Sequence, residues 1–200
     1  WIGEKMKKII LTVFAATSLL LYSTPSFALF SVSVGIPMPQ TITGKQAGES
    51  YGNAPDKTSG YFLGVQLPFA LGFGIDSYTT KFKTDGSKGA WDKVNDGGLK
   101  TNMTNIFYQL PVPVVNLIIG LGMGTTEYDC KTSDGKGCSH YYDKGSATQW
   151  YASIGMPLIP LFDIHLSYRS ITAKNIKSTE SGKKDDNSGS VTGLGIAFNF

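Results

Sequence analysis

Gly193-Leu194-Gly195-Ile196-Ala197-Phe198-Asn199-Phe200 is the stretch on which the reading of this chain turns. Its period is two, the period at which side chains alternate between the faces of a β-sheet. One face carries Leu194, Ile196, Phe198 and Phe200, and the other carries Gly193, Gly195, Ala197 and Asn199. In a water-soluble sandwich the face opposite the large apolar residues is charged or rich in Thr. Here it is small and uncharged, which suits a narrow, crowded interior.

Seven earlier stretches repeat this polarity. Phe30, Val32, Val34 and Ile36 alternate with Ser31, Ser33 and Gly35. Tyr61, Leu63, Val65 and Leu67 alternate with Phe62, Gly64 and Gln66. Leu71, Phe73 and Ile75 alternate with Gly72, Gly74 and Asp76. Thr104, Ile106, Tyr108 and Leu110 stand against Asn105, Phe107 and Gln109. Val115, Leu117, Ile119, Leu121 and Met123 stand against Asn116, Ile118, Gly120, Gly122 and Gly124. Trp150, Ala152, Ile154 and Met156 oppose Gln149, Tyr151, Ser153 and Gly155. Phe162, Ile164, Leu166 and Tyr168 oppose Asp163, His165, Ser167 and Arg169. Large and apolar on one face, small or polar on the other, is what a membrane barrel requires when lipid is its outer solvent. Closure pairs every strand edge inside the bilayer. The expected fold is all-β: an eight-stranded antiparallel up-and-down transmembrane β-barrel.

The connections alternate in length. Short joints lie near Pro68-Phe69-Ala70, Pro111-Val112-Pro113 and Pro157-Leu158-Ile159-Pro160. Long polar joints are expected over Thr41–Ser59, Lys83–Leu99, Asp129–Ser146 and Asn175–Asn187. Short turns on one side and long loops on the other form the bacterial outer-membrane pattern. Gln66-Leu67-Pro68, Gln109-Leu110-Pro111 and Gly155-Met156-Pro157 recur at spacings of 43 and 46 residues, a hairpin-level repeat of an up-and-down meander.

The opposite end reads as an export signal. Lys7-Lys8 follow Met6, and Ile9 to Tyr22 is an uncharged run of 14 residues, short of a spanning helix. Ser26-Phe27-Ala28 offers a small-residue cleavage site. Residues 1–28 are therefore expected to be a signal peptide, with residues 1–5 upstream of the initiator, and 29–200 the barrel. Without Lys5, Lys7, Lys8 and Glu4 the mature segment carries 15 basic and 14 acidic groups, a net +1 that does not point to nucleic acid.

On these residues the mature chain resembles the small eight-stranded outer-membrane barrels of the OmpA transmembrane domain, OmpX and OmpW type. The likeness is architectural, and no functional motif carries over with it. It implies a bacterial outer-membrane location, outer-membrane lipid around the wall, and a closing strand whose Phe198 and Phe200 are read by the insertion machinery. The periplasmic peptidoglycan-binding domain of full-length OmpA-like proteins is not expected here.

Candidate chemistry is sparse. Cys130 and Cys138 in an exported chain favour a disulfide; a metal site with His140 is the weaker alternative. Asp76, Asp163, His165 and Arg169, with Gln66, Gln109 and Asn116, fall on the inner face. They are expected to form a polar network that fills the barrel, with Arg169 paired to Asp76 or Asp163; the alternative is a polar conduit or gate. Asp163, His165 and Ser167 invite a Ser–His–Asp reading, but three same-side residues of one strand cannot easily form a relay. No cofactor or enzymatic activity is expected. Phe30, Phe73, Tyr108, Phe198 and Phe200 fall toward the short-turn end and Tyr61, Trp150 and Tyr168 toward the loop end, as interfacial aromatic belts do. The function read from the sequence is a structural or surface-interaction role through the long loops, where Trp91, Tyr141 and Tyr142 lie. The alternative is a narrow channel for small hydrophobic or ionic solutes.

Overall fold

A computed structural model describes residues 30–46, 49–50, 55–82, 94–110, 112, 115–132, 136–159 and 161–200. The leader expected over residues 1–28, Trp91, and Pro111, Pro113 and Pro160 of the short turns lie outside the described residues.

Eight strands form the wall: β1 (Ser31–Ile42), β2 (Pro55–Gln66), β3 (Leu71–Phe82), β4 (Val94–Leu110), β5 (Asn116–Thr132), β6 (Gly145–Ile159), β7 (Phe162–Thr172) and β8 (Gly189–Asn199). Each pairs antiparallel with its sequence neighbours, and β8 pairs with β1 to close the barrel. All eight strands expected from the sequence are present, each with its apolar set facing out. Val34, Leu63, Phe73, Ile106, Leu121, Ile154, Leu166 and Ile196, one from each strand, are all exposed. These side chains are left facing outward because their solvent is lipid.

The strands run further than the alternation predicts. β4 and β5 each have 17 residues, roughly 56 Å at ~3.3 Å per residue, whereas a tilted crossing needs only about 9–11. The expected loops Lys83–Leu99 and Asp129–Ser146 are correspondingly shorter, because Val94–Leu99 and Asp129–Thr132 belong to the wall. Past the lipid the outer face meets water, so Lys100, Glu127 and Asp129 replace apolar residues and the alternation vanishes. The backbone ladder continues regardless, with Lys100 opposite Glu127 and Leu99 opposite Tyr128.

One joint in the wall is incomplete. β1 and β2 pair only from Ser31–Gly35 to Phe62–Gln66. Above that level both strands continue, each laddered to its other neighbour. Pro37 and Pro39 lack the N–H a ladder needs, and the β1–β8 register shifts between Pro37 and Gln40. Side chains bridge the gap instead. The Gln40 N–H donates to Thr58 Oγ1 at 3.0 Å, and Thr80 Oγ1 donates to Gln40 Oε1 at 2.6 Å.

Inside, large residues meet glycines. Gly72, Phe107, Gly120, Tyr151 and Arg169 are successive cross-strand partners from β3 to β7. A Cβ at Gly120 would collide with the Tyr151 ring, and one at Gly193 with the Phe62 ring. Small-beside-large alternation is how a barrel of this size fills its interior.

Candidate functional site

The strand parity that turns apolar residues outward brings the polar ones into the lumen in two groups. The upper group is built on Arg169 of β7. Its Nε donates to Asp76 Oδ2 at 3.0 Å and its Nη2 to Asp76 Oδ1 at 3.4 Å, a forked pair across the lumen from β3. Its Nη1 donates to Ser167 Oγ. Gln149 Nε2 donates to Asp76 Oδ2 at 2.6 Å and to Asn105 Oδ1 at 2.5 Å. The guanidinium carbon lies 3.6 Å from the centroid of the Phe62 ring and 4.8 Å from that of Tyr151. A desolvated cation between π-faces and a carboxylate is well held.

The lower group is built on Asp163. Asn116 Nδ2 donates to its Oδ2, as does Asn199 Nδ2 at 2.9 Å, and Gln109 Nε2 donates to Asn116 Oδ1 at 2.6 Å. Gln66 is buried beside them on the wall of a cavity of about 20 Å³. His165 lies between the groups, with Nε2 3.8 Å from Asp163 Oδ2 and Nδ1 3.5 Å from Ser153 Oγ. A second cavity of about 60 Å³ lies between Arg169, Asp76, Ser153 and His165. It has room for a few waters.

The inward residues named from the sequence are thus all in the lumen, but in two groups rather than one network. Of the two partners open to Arg169, the structure selects Asp76. The residues missed as partners are Asn105, Gln149, Ser153 and Asn199. Their parity marked them as inward, but only the ring of strands shows which of them face one another. Ser167, the hydroxyl in the same-strand Ser–His–Asp reading, is bound to Arg169 and donates to Gly193 O at 3.3 Å, away from His165.

The loop end has a small core of its own. Leu99, Tyr128, Cys130, Cys138 and Ile176 cluster there, with Ile42, Phe82 and Tyr142 packed against them. Leu99 and Ile176 are fully buried. Cys130 and Cys138 form the expected disulfide, with Cα atoms 5.3 Å apart, inside the ordinary range for such bonds. The bond takes up both thiols that the metal alternative with His140 required. Ile176 enters the barrel mouth from the last loop, where Ile176–Lys177 pairs with Lys184–Asp185 in a short ladder. The Tyr128 hydroxyl donates to Asp185 Oδ2 at 3.0 Å, and Asn187 Nδ2 donates to the Tyr128 oxygen at 3.2 Å. The Asp143 N–H donates to Lys177 O and the Thr179 N–H to Tyr141 O, tying the last two loops together.

Outside, the expected belts are in place. Tyr61, Trp150 and Tyr168 are exposed toward the loop end, with the Trp150 and Tyr168 rings 5.8 Å apart. At the turn end the Phe198 ring meets that of Phe162 at a tilt, with centroids 4.8 Å apart, and that of Phe200 edge to face at 4.4 Å.

A closed eight-stranded wall, an apolar band facing out and a polar filling facing in define a small transmembrane β-barrel of the outer-membrane type. No family model matches the chain, and no curated protein matches its sequence. Among solved structures the barrel is similar to Neisserial surface protein A, with a TM-score of 0.60 and 14% identity over 86% of this chain and 97% of that one. It is also similar to the E. coli outer membrane protein W (0.53, 12%, 87% and 98%). Ail, the attachment invasion locus protein of Yersinia pestis, is comparable (0.53, 16%, 87% and 99%). At such identities the likeness is one of fold. Wall, belts and neighbours agree on the bacterial outer membrane as the location.

Proposed function

We propose that this protein is a filled barrel that acts at its loop end, in a structural or surface-interaction role. The observation that carries the reading is the side-chain stack of Phe62, Arg169 and Tyr151 across the lumen, held by Asp76. Above it the core around Leu99, Tyr128 and Ile176 fills the mouth. Two plugs in series argue against the narrow-channel alternative and leave the anchored loops as the working surface. Ail has been solved in complex with the heparin analogue sucrose octasulfate (TM-score 0.50, 19% identity), so a barrel of similar fold can hold a polyanionic ligand. Ser153, His165 and Asp163 are too loosely spaced, and too deep in a small cavity, to favour hydrolytic chemistry.

Outer-membrane lipid is the partner of the belt, and the insertion machinery is the proposed reader of Phe198 and Phe200 during assembly. Planar-bilayer recording of the refolded protein tests the main reading. No discrete conductance is expected, and reproducible unitary channels from the unmodified protein would establish the channel instead.

A further inference from the structure

The last loop presents positive charge in a way that structure alone does not require. Lys177 and Lys184 are direct cross-strand partners in its short ladder. Cross-strand partners project to the same side, with Cβ atoms roughly 5 Å apart, and like charges so placed repel. Both side chains are exposed, as are those of Lys174 and Lys183. None of the four forms an ion pair among the described residues, whereas Lys100 and Lys144 both pair with Glu127.

The loop's own carboxylates are mostly committed elsewhere. Asp185 is buried and receives the Tyr128 hydroxyl, and Asp186 Oδ1 receives the Ser188 N–H at 2.9 Å. Glu180 is exposed at the turn. The reverse side of the ladder is the fixed one, with Ile176 and Asp185 sunk into the barrel mouth. The repulsion is therefore held in place by packing that would survive without any of the lysines.

Tyr128, on which this ladder rests, lies five residues beyond Met123, the last outward apolar residue of β5. That is about 12 Å past the apolar band, at ~3.3 Å per residue and a ~40° tilt. The lysines stand clear of the layer where lipid phosphates lie, and face what approaches from outside. Lysine is a flexible point charge that responds to charge density rather than to a planar fork.

We propose that Lys174, Lys177, Lys183 and Lys184 form a docking face for a sulfated polysaccharide. The Lys177–Lys184 pair would bridge neighbouring sulfates of the chain. This rests on the loop-end reading above, and its test is independent of the conductance measurement.

The test uses the full barrel in nanodiscs and size-defined heparin oligosaccharides. Binding that weakens steeply between low and physiological salt is expected. The quadruple variant K174Q/K177Q/K183Q/K184Q should lose at least tenfold in affinity while keeping a heat-modifiable gel shift. K57Q/K100Q, nearer the membrane, should bind as the unmodified protein does. Any one of four results would overturn the proposal: no binding by the unmodified protein; undiminished binding by the folded quadruple variant; equal binding of desulfated heparin, which keeps its carboxylates; or preferential binding of phosphate-bearing lipopolysaccharide. Should the glutamine variant misfold, K177Q/K184Q alone carries the same comparison, with a several-fold loss expected.

Discussion

Arg169 and Asp76 stand on opposite walls of the barrel, four strands apart in either direction, and meet in the lumen at 3.0 Å. The pair ties the two halves of the ring together. It also leaves only the small cavity of about 60 Å³ beside it for water at that level.

Removing one partner leaves the other charge buried and uncompensated. Arg169→Ala or Asp76→Ala is expected to destabilise the barrel by about 3–5 kcal/mol, read from urea unfolding in detergent micelles. R169M/D76L should recover much of the loss. A double variant no more stable than either single one would mean that the pair does not hold the interior together.

The glycine contacts make a separate claim. Gly120→Val should cost ~1–3 kcal/mol or prevent closure, because its side chain would occupy the place of the Tyr151 ring. Adding Tyr151→Ala should restore part of that loss. The readout is the fraction of protein showing the folded band on unheated gels.

Cys130 and Cys138 close an eight-residue separation, for which the chain-entropy estimate is ~2–3 kcal/mol. The effect of Cys130→Ser with Cys138→Ser should be local. Proteolysis within residues 133–144 is expected to accelerate while the wall stays folded. Two free thiols in the unmodified protein, counted after denaturation without reductant, would contradict the bond.

Asp163 receives two amide donors, from Asn116 and Asn199, on one oxygen. Asp163→Asn can keep an acceptor there and should be tolerated within about 1 kcal/mol, whereas Asp163→Leu leaves both amides without it and should cost roughly 2–4 kcal/mol. Equal effects of the two changes in the same unfolding assay would remove the hydrogen-bonding account.

Phe198 lies in the closing strand and Phe200 just follows it, their rings meeting edge to face. Replacing both with Ser should reduce the folded fraction recovered from outer-membrane fractions while leaving refolding into detergent largely intact. A normal yield in the membrane would remove their proposed role in recognition by the insertion machinery.

The wall was legible in the sequence because lipid enforces alternation. Val34, Leu121 and Leu166 each had to face out, and parity then put Asp76, Asp163 and Arg169 inside. What parity cannot supply is distance around a ring. Asp163 is six residues from Arg169 and on the same strand, yet Arg169 reaches Asp76, 93 residues away. The extensions of β4 and β5 were hidden for the opposite reason: water on the outer face imposes no pattern on Lys100 or Glu127. The mouth core was hidden too, since Leu99 and Ile176 come from segments whose sequences read as polar loops and Tyr128 lies past the last alternating residue of its strand.

The side-chain bridge from Gln40 to Thr58 and Thr80 has a dynamic consequence. Backbone ladders open cooperatively, but hydroxyl and amide contacts let go one at a time. The wall between β1 and β2 is therefore where the barrel should breathe first under heat or lateral tension. Amides of Asp56–Tyr61 that face β1 should exchange with solvent deuterium well ahead of those between β3 and β4 at the same height. A barrel whose interior is packed as a plug thus keeps a compliant seam in the upper part of its β1–β2 joint, beside the two prolines of β1.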